Sequence, residues 1–216
     1  MKHAVLDLSE NMLKFALGEG GRLLCEHAEP MRGRDSAMLV NRITGILASR
    51  DCSLGDVDAW TVGSGPGNFS GMRIAAAFVS GLAGARKDLK IRAVPSAYAY
   101  SGVEGGRARR AAVVYDGRNS EVLIFRTDTG EGRIAACGAC AELLREWEGM
   151  RVVLPFADSL RLRGALPDEV FARAEIAPER VSLLPLLLAD APFDGKVSRL
   201  EYIRPAVKPA DAVFRH

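Results

Sequence analysis

The stretch Gly-Ser-Gly-Pro-Gly-Asn-Phe-Ser-Gly, residues 63–71, is the part of the chain whose residue types most resemble a chemical device. It sits between two apolar segments, and a glycine-rich turn that opens a helix is a common phosphate cradle. Three phosphate patterns fail here. Walker A needs a lysine after its last glycine, and none follows Gly71. The G-x-G-x-x-G fingerprint ends on Asn68 when started at Gly63 and on Ser70 when started at Gly65. The kinase loop shares that spacing and fails with it. Two readings stay open. The free N–H groups of the following helix, with Arg73 in its first turn, grip an anion. Alternatively the glycines serve backbone geometry and Asn68 or Ser70 caps the helix. The second is favoured.

Other constellations are thin. His3, His27 and His216 lack metal-ligand spacing. No G-x-S-x-G elbow marks a nucleophile. Asp7 and Asp116 each sit where an acid either binds metal-phosphate or ties its own turn, and the turn reading is favoured for both. Cys137-Gly-Ala-Cys140 has a redox or zinc spacing but no second close pair, so chance spacing is the reading. The only dense basic cluster, Arg107, Arg109 and Arg110, reads as a solvated loop.

The elements that must position these residues follow from periodicity. Residues 3–8, 14–17 and 22–26 read as an antiparallel meander with short connections. Helical spacing then appears at Leu39, Val40, Ile43, Ile46 and Leu47, with Asp35 or Ser36 as the expected cap. Residues 57–62 form a strand aimed at the glycine turn, and 73–85 a second helix with Ile74, Phe78, Val79 and Leu82 on one face. A short strand at 91–94 stops at Pro95. Gly102 to Gly106 marks a lobe boundary. A hairpin spans 111–126, a helix 139–148 and a strand 152–154. No long internal repeat is visible. The expected organisation is an N-terminal lobe, 1–101, and a smaller C-terminal lobe, 102–216, whose last segment returns to the first.

Of the 216 residues, 48% are hydrophobic and 26% charged, an ordinary composition with material for a sizeable core. The 29 basic and 27 acidic residues nearly balance, which favours neither a nucleic-acid binder nor a membrane-surface protein. No apolar run approaches the roughly 18 residues of a membrane span, and the opening residues break too early for a secretory signal. The expectation is a cytoplasmic protein with reduced thiols.

Residues 54–74, Leu-Gly-Asp-Val-Asp-Ala-Trp-Thr-Val-Gly-Ser-Gly-Pro-Gly-Asn-Phe-Ser-Gly-Met-Arg-Ile, resemble the signature of the TsaB (YeaZ-like) family. Asn68 and Ser70 stand where serine and threonine are usual. Val94-Pro-Ser96, Val114-Tyr-Asp116 to Val122, and Tyr202-Ile-Arg204-Pro extend the resemblance at lower specificity. It implies an α/β fold of the two-lobed ASKHA class (actin/Hsp70-like, ribonuclease H-like) with a βββαβα core. It implies a non-catalytic accessory subunit in synthesis of threonylcarbamoyladenosine at position 37 of ANN-decoding tRNAs. The implied partners are a TsaD-like catalytic subunit, a TsaE-like ATPase and a second copy of the chain. tRNA is met only through the complex. No cofactor is implied for this chain alone, ATP and metal being used by the partners. The expected partner interface is Leu39, Val40, Ile43 and Leu47 of the first helix with Met72, Ile74, Ala75, Phe78, Val79 and Leu82 of the second. It is served by a signature turn of Gly63, Gly65, Pro66, Gly67, Asn68, Phe69, Ser70, Gly71 and Arg73. Two departures, Asp35-Ser36-Ala37 for H-S-E and Asp7-Leu8-Ser9 for D-T-S, weaken independent nucleotide binding. The rival expectation is an enzyme acting alone, a small-molecule phosphotransferase or a peptidase-like hydrolase.

Overall fold

The computed structural model describes residues 1–31, 33–104, 107–108, 110–197 and 200. The closing Tyr202-Ile-Arg204-Pro element, Arg109 and His216 lie outside the described residues. Three strands open the chain: β1 (Lys2–Asp7), β2 (Met12–Glu19) and β3 (Arg22–Pro30). After a 3-10 turn, Gly33–Met38, come α1 (Leu39–Ala48), β4 (Ala59–Gly63), α2 (Phe69–Ala85) and β5 (Lys90–Val94). They form a five-stranded sheet in the order β3-β2-β1-β4-β5, antiparallel across the meander and parallel from β1 to β5.

The 3-10 helix Ser96–Ser101 leads out of this sheet, past the short pair β6 (Val103–Glu104) and β7 (Arg107–Ala108). Arg107 therefore belongs to a strand rather than to the loop expected for the basic cluster. The second half then repeats the plan. β8 (Ala111–Arg118), β9 (Glu121–Arg126) and β10 (Gly132–Ala136) form a meander. It is followed by α3 (Cys140–Glu146), β11 (Arg151–Leu154), α4 (Phe156–Leu162), α5 (Asp168–Arg173) and β12 (Glu175–Ile176). Its sheet runs β10-β9-β8-β11-β12, with the same sense of pairing. The duplication is topological. The two halves share strand order without sharing a sequence period, which is why no repeat is visible in the residues.

Two boundary expectations are corrected. The second helix begins at Phe69, four residues before Arg73, because Asn68 caps it: the Gly71 N–H donates to Asn68 Oδ1 at 3.3 Å. The first helix begins at Leu39, without a side-chain cap from Asp35 or Ser36, because a 3-10 turn takes up residues 33–38.

Alternation along the strands divides the first core. Leu6, Leu13, Phe15, Trp60 and Val62 face α1 and α2. Val5, Ala16 and Val94 face the other way, against α6 (Leu184–Leu187) and Ala99 of the 3-10 helix. Trp60 is fully buried, with Phe15 and Phe78 rings 6.1 and 5.6 Å from its own. Each such side chain contributes about 1.5–3 kcal/mol by burial. The second sheet packs one face on α3, α4 and α5, and the other on Ala97 and Tyr100 of the 3-10 helix. That helix, with α6, is thus the layer between the sheets.

The returning segment is fastened by a buried arginine. Arg92 Nη1 donates to the carbonyls of Ala189 (2.8 Å) and Ala191 (2.6 Å), and Nη2 to those of Leu186 (3.2 Å) and Leu187 (3.1 Å). Its guanidinium stacks on Phe193, and Nε donates to Thr61 Oγ1 at 2.8 Å. An arginine is always a donor, so the Thr61 hydroxyl keeps its own proton for His3 Nε2, 2.8 Å away. His3 is therefore held neutral. Burial, with help from the nearby Arg92 charge, pushes its pKa down to about 4.

A histidine depressed in the folded state loses stability as pH falls, because below its ordinary 6.5 the unfolded chain takes up the proton first. His3 should therefore cost on the order of 3 kcal/mol between pH 6.5 and pH 4. In urea unfolding, His3→Gln should lose about 2–3 kcal/mol less than the parent over that interval. An unchanged difference would remove His3 from the acid response.

Candidate functional site

The glycine turn folds onto the loop between β1 and β2. The Asn68 N–H donates to the Ser9 carbonyl, and Asn68 Nδ2 to Asn11 Oδ1 at 3.2 Å. A Cβ on Gly67 would collide with the Ser9 carbonyl, and one on Gly71 with the Leu8 carbonyl. The glycines therefore permit backbone to pack on backbone. Gly63 serves the same end, since a Cβ there would lie 2.7 Å from Ser96 Oγ and against the Asp7 carboxylate.

Asp7 is buried and ties three elements together. Its Oδ1 accepts from the Ser9 N–H at 2.9 Å and from Ser96 Oγ at 2.9 Å. Ser96 Oγ in turn accepts from the Gly65 N–H at 3.0 Å, while Ser64 N–H donates to Val94 O at 2.9 Å. The N–H groups of Ser64, Gly65, Asn68 and Gly71 are thus engaged within the fold. Phe69 and Arg73, one helical turn apart, stack with the guanidinium 3.8 Å from the ring centre. Arg73 is exposed, as is Ser70. Asp116 likewise ties its turn, accepting from Arg118 N–H at 2.9 Å.

A second polar group at the lobe junction was not singled out by sequence. Glu10 Oε1 accepts from Lys14 Nζ at 2.5 Å and from the Tyr100 hydroxyl. The Tyr100 and Tyr115 rings meet edge to face at 6.1 Å. Burial raises both phenol pKa values, and the Glu10 charge adds to it. Asp158, in the first turn of α4, lies 3.2 Å from Arg161. Burial pushes its pKa up to about 6, the Arg161 charge opposes this, and the Asp116 and Glu10 charges add to it. Sequence offered one signal, the Glu10–Lys14 spacing, but Glu10 and Tyr100 are 90 positions apart. The Cys137 and Cys140 thiols are raised by burial, Cys140 to about 11, which disfavours the thiolate needed for redox or metal chemistry.

The expected interface residues are placed differently from the expectation. Leu39, Ile43, Leu47, Met72, Ala75 and Val79 are buried in the chain's own interior. Ile74, Phe78 and Leu82 are half-buried and pack on the first core. Of the ten, Val40 alone is exposed, at 48%. Their placement has a simple cause: apolar periodicity marks the face of a helix turned towards its sheet. The outward face of α2 carries Arg73, Ala77, Ser80, Gly81 and Gly84. That of α1 carries Val40, Asn41, Gly45 and Ala48.

Two measurements follow from these contacts. Gly71→Ala must push the Leu8 carbonyl aside and should destabilise by about 1–3 kcal/mol. Gly81→Ala meets open space in a helix interior and should stabilise by up to about 1 kcal/mol. Equal effects in chemical denaturation would contradict the packing described. Asp158 binds its proton more tightly folded than unfolded, so stability falls as pH rises from its ordinary 3.8 to about 6. Asp158→Asn should therefore be more stable than the parent by about 1–3 kcal/mol at pH 7, with the gain fading towards pH 4.

The architecture matches known structures. YeaZ from Pseudomonas aeruginosa superposes with a TM-score of 0.63 at 24% identity, covering 87% of this chain and 89% of that one. The ethanolamine utilization protein EutJ from Carboxydothermus hydrogenoformans gives 0.52 at 13% identity, covering 87% and 90%. The fold is of the ASKHA type. No curated protein sequence matches the chain. The family model for TsaD, tRNA N6-adenosine threonylcarbamoyltransferase, matches residues 35–182. That span runs from the turn before α1, through the glycine turn, to the edge of α6, and the chain belongs to this family.

Proposed function

We propose that this chain is a non-catalytic, TsaB-type subunit that supports a TsaD-like enzyme in threonylcarbamoyl transfer to adenosine 37 of ANN-decoding tRNAs. It acts in the cytoplasm and binds no cofactor by itself. ATP and metal are handled by the TsaD-like subunit and a TsaE-like ATPase, and tRNA is met through the complex. The observation that carries this reading is the closure of the glycine turn on Leu8 and Ser9. With the N–H groups of Ser64, Gly65, Asn68 and Gly71 engaged internally, the turn is read as a device for aiming α2 rather than for gripping phosphate.

The surface offered to the TsaD-like partner, and to a second copy when the partner is absent, is the outward face of α1 and α2. Its small side chains at Ala77, Ser80, Gly81 and Gly84 let another helix approach closely. Half-buried Ile74, Phe78 and Leu82 rim it, so apolar contact is available without disturbing the core.

The test is co-purification with the TsaD-like protein of the same genome, followed by a reconstituted tRNA modification reaction. Ala77→Arg, on the exposed face, should leave the fold intact and weaken the partner by at least about tenfold. ATP turnover by the chain alone would favour the independent phosphotransferase or hydrolase. So would a modification reaction that runs equally well without the chain.

A further inference from the structure

A cavity of about 300 Å³ opens at the junction of the lobes, on the β11–β12 edge of the second sheet. Its walls are apolar and come from separate parts of the chain: Ala99 of the 3-10 helix, Val153 and Ala177 at the sheet edge, and Val181 and Leu184 of the returning segment. Arg151 and Glu175 also line it, and they carry opposite charges. Arg151 Nη2 donates to Glu175, while Nη1 donates to the Ser101 carbonyl at 2.9 Å. The two side chains lie on neighbouring parallel strands, so their spacing is set by the sheet.

We propose that this cavity binds a free α-amino acid with an aliphatic side chain. The charges are complementary to a zwitterion. The Arg151 fork has donors beyond the two it uses, which suit a carboxylate. Glu175, whose side chain is 57% exposed, keeps acceptor capacity for an ammonium group. An ion pair this exposed contributes little by itself, so rearranging it around a ligand costs little. The side chain then enters the space between Ala177, Val181 and Leu184, where burial supplies the driving force. Arg151 is itself held in place at the crossing between lobes by its bond to the Ser101 carbonyl.

The experiment is isothermal titration of the full chain with L-leucine. It is set beside 4-methylpentanoate, which lacks the ammonium, and 3-methylbutylamine, which lacks the carboxylate. Leucine should bind saturably, with each single-charge analogue at least about tenfold weaker. Arg151→Gln and Glu175→Gln, changes at partly exposed positions, should each weaken leucine by a similar factor. Val181→Trp should abolish binding by filling the cavity. If Val181→Trp does not fold, the two polar variants decide alone. The proposal is overturned by absence of saturable leucine binding at millimolar concentration. Equal affinity for the analogues, or binding unaffected by the polar variants, overturns it equally. It needs neither partner nor tRNA, so its failure leaves the accessory-subunit reading standing.

Discussion

The contact between two backbones, the 67–71 turn and the Leu8–Ser9 loop, is the constraint on which the arrangement of the first lobe depends. Side chains at Gly67 or Gly71 would hold the segments apart. Without them, the Asn68 N–H reaches the Ser9 carbonyl and the first turn of α2 lies on the end of β1. The direction of a 17-residue helix is fixed at its N-terminus, before any of its apolar side chains is counted. Asp7 then carries the same constraint to the lobe crossing, since one carboxylate oxygen binds both Ser9 and Ser96. Buried polar groups of this kind must be satisfied, and here they satisfy one another.

Comparison of the halves shows what the turn adds. Both follow three antiparallel strands with a helix and then a parallel strand. In the first half the next connection is the glycine turn and α2. In the second it is Pro155 and the seven-residue α4, whose first turn holds the protonatable Asp158. A long helix with an outward face of small residues exists only after the glycine turn among the described elements. The same topology thus yields a long helix with an outward face of small residues in one lobe and a short helix with a polar first turn in the other. The difference lies in the loops, where a shared scaffold usually carries its function.

Much of this was legible in the residues. The meander, β4, the turn and α2 follow from alternation, from a change of period and from glycine. The strand β10 was not legible, because Gly132–Ala136 is an exposed edge with little alternation to read. Which face of α2 turns outward was not legible, for a physical reason. Hydropathy records what is buried, and Ile74, Phe78 and Val79 serve the chain's own sheet. Alanine, serine and glycine carry little hydropathic signal, so their abundance in α2 is visible in the residues but the side of the helix they occupy is not. The Glu10–Tyr100 contact and the Arg92 clamp join residues about 90 or more positions apart, and no local spacing announces them.

The junction between the lobes raises the question of which forces hold it and which orient it. Asp7 to Ser96, Glu10 to Tyr100 and Arg151 to Ser101 are its polar ties. Each has one charged partner and nets about 1.5–3 kcal/mol, since the same groups bind water when apart. The apolar layer is larger. Ala97, Tyr100 and Val113 are buried on one side of the 3-10 helix, and Val5, Val94, Leu186 and Leu187 on the other. At about 1.5–3 kcal/mol for each large side chain, burial dominates the cohesion. Burial is indifferent to small rotations, however, whereas a hydrogen bond is lost within a fraction of an ångström. The polar ties therefore set the angle that the apolar layer holds. All three reach the same six-residue helix, Ser96–Ser101, which is therefore the element common to every polar tie named at the junction.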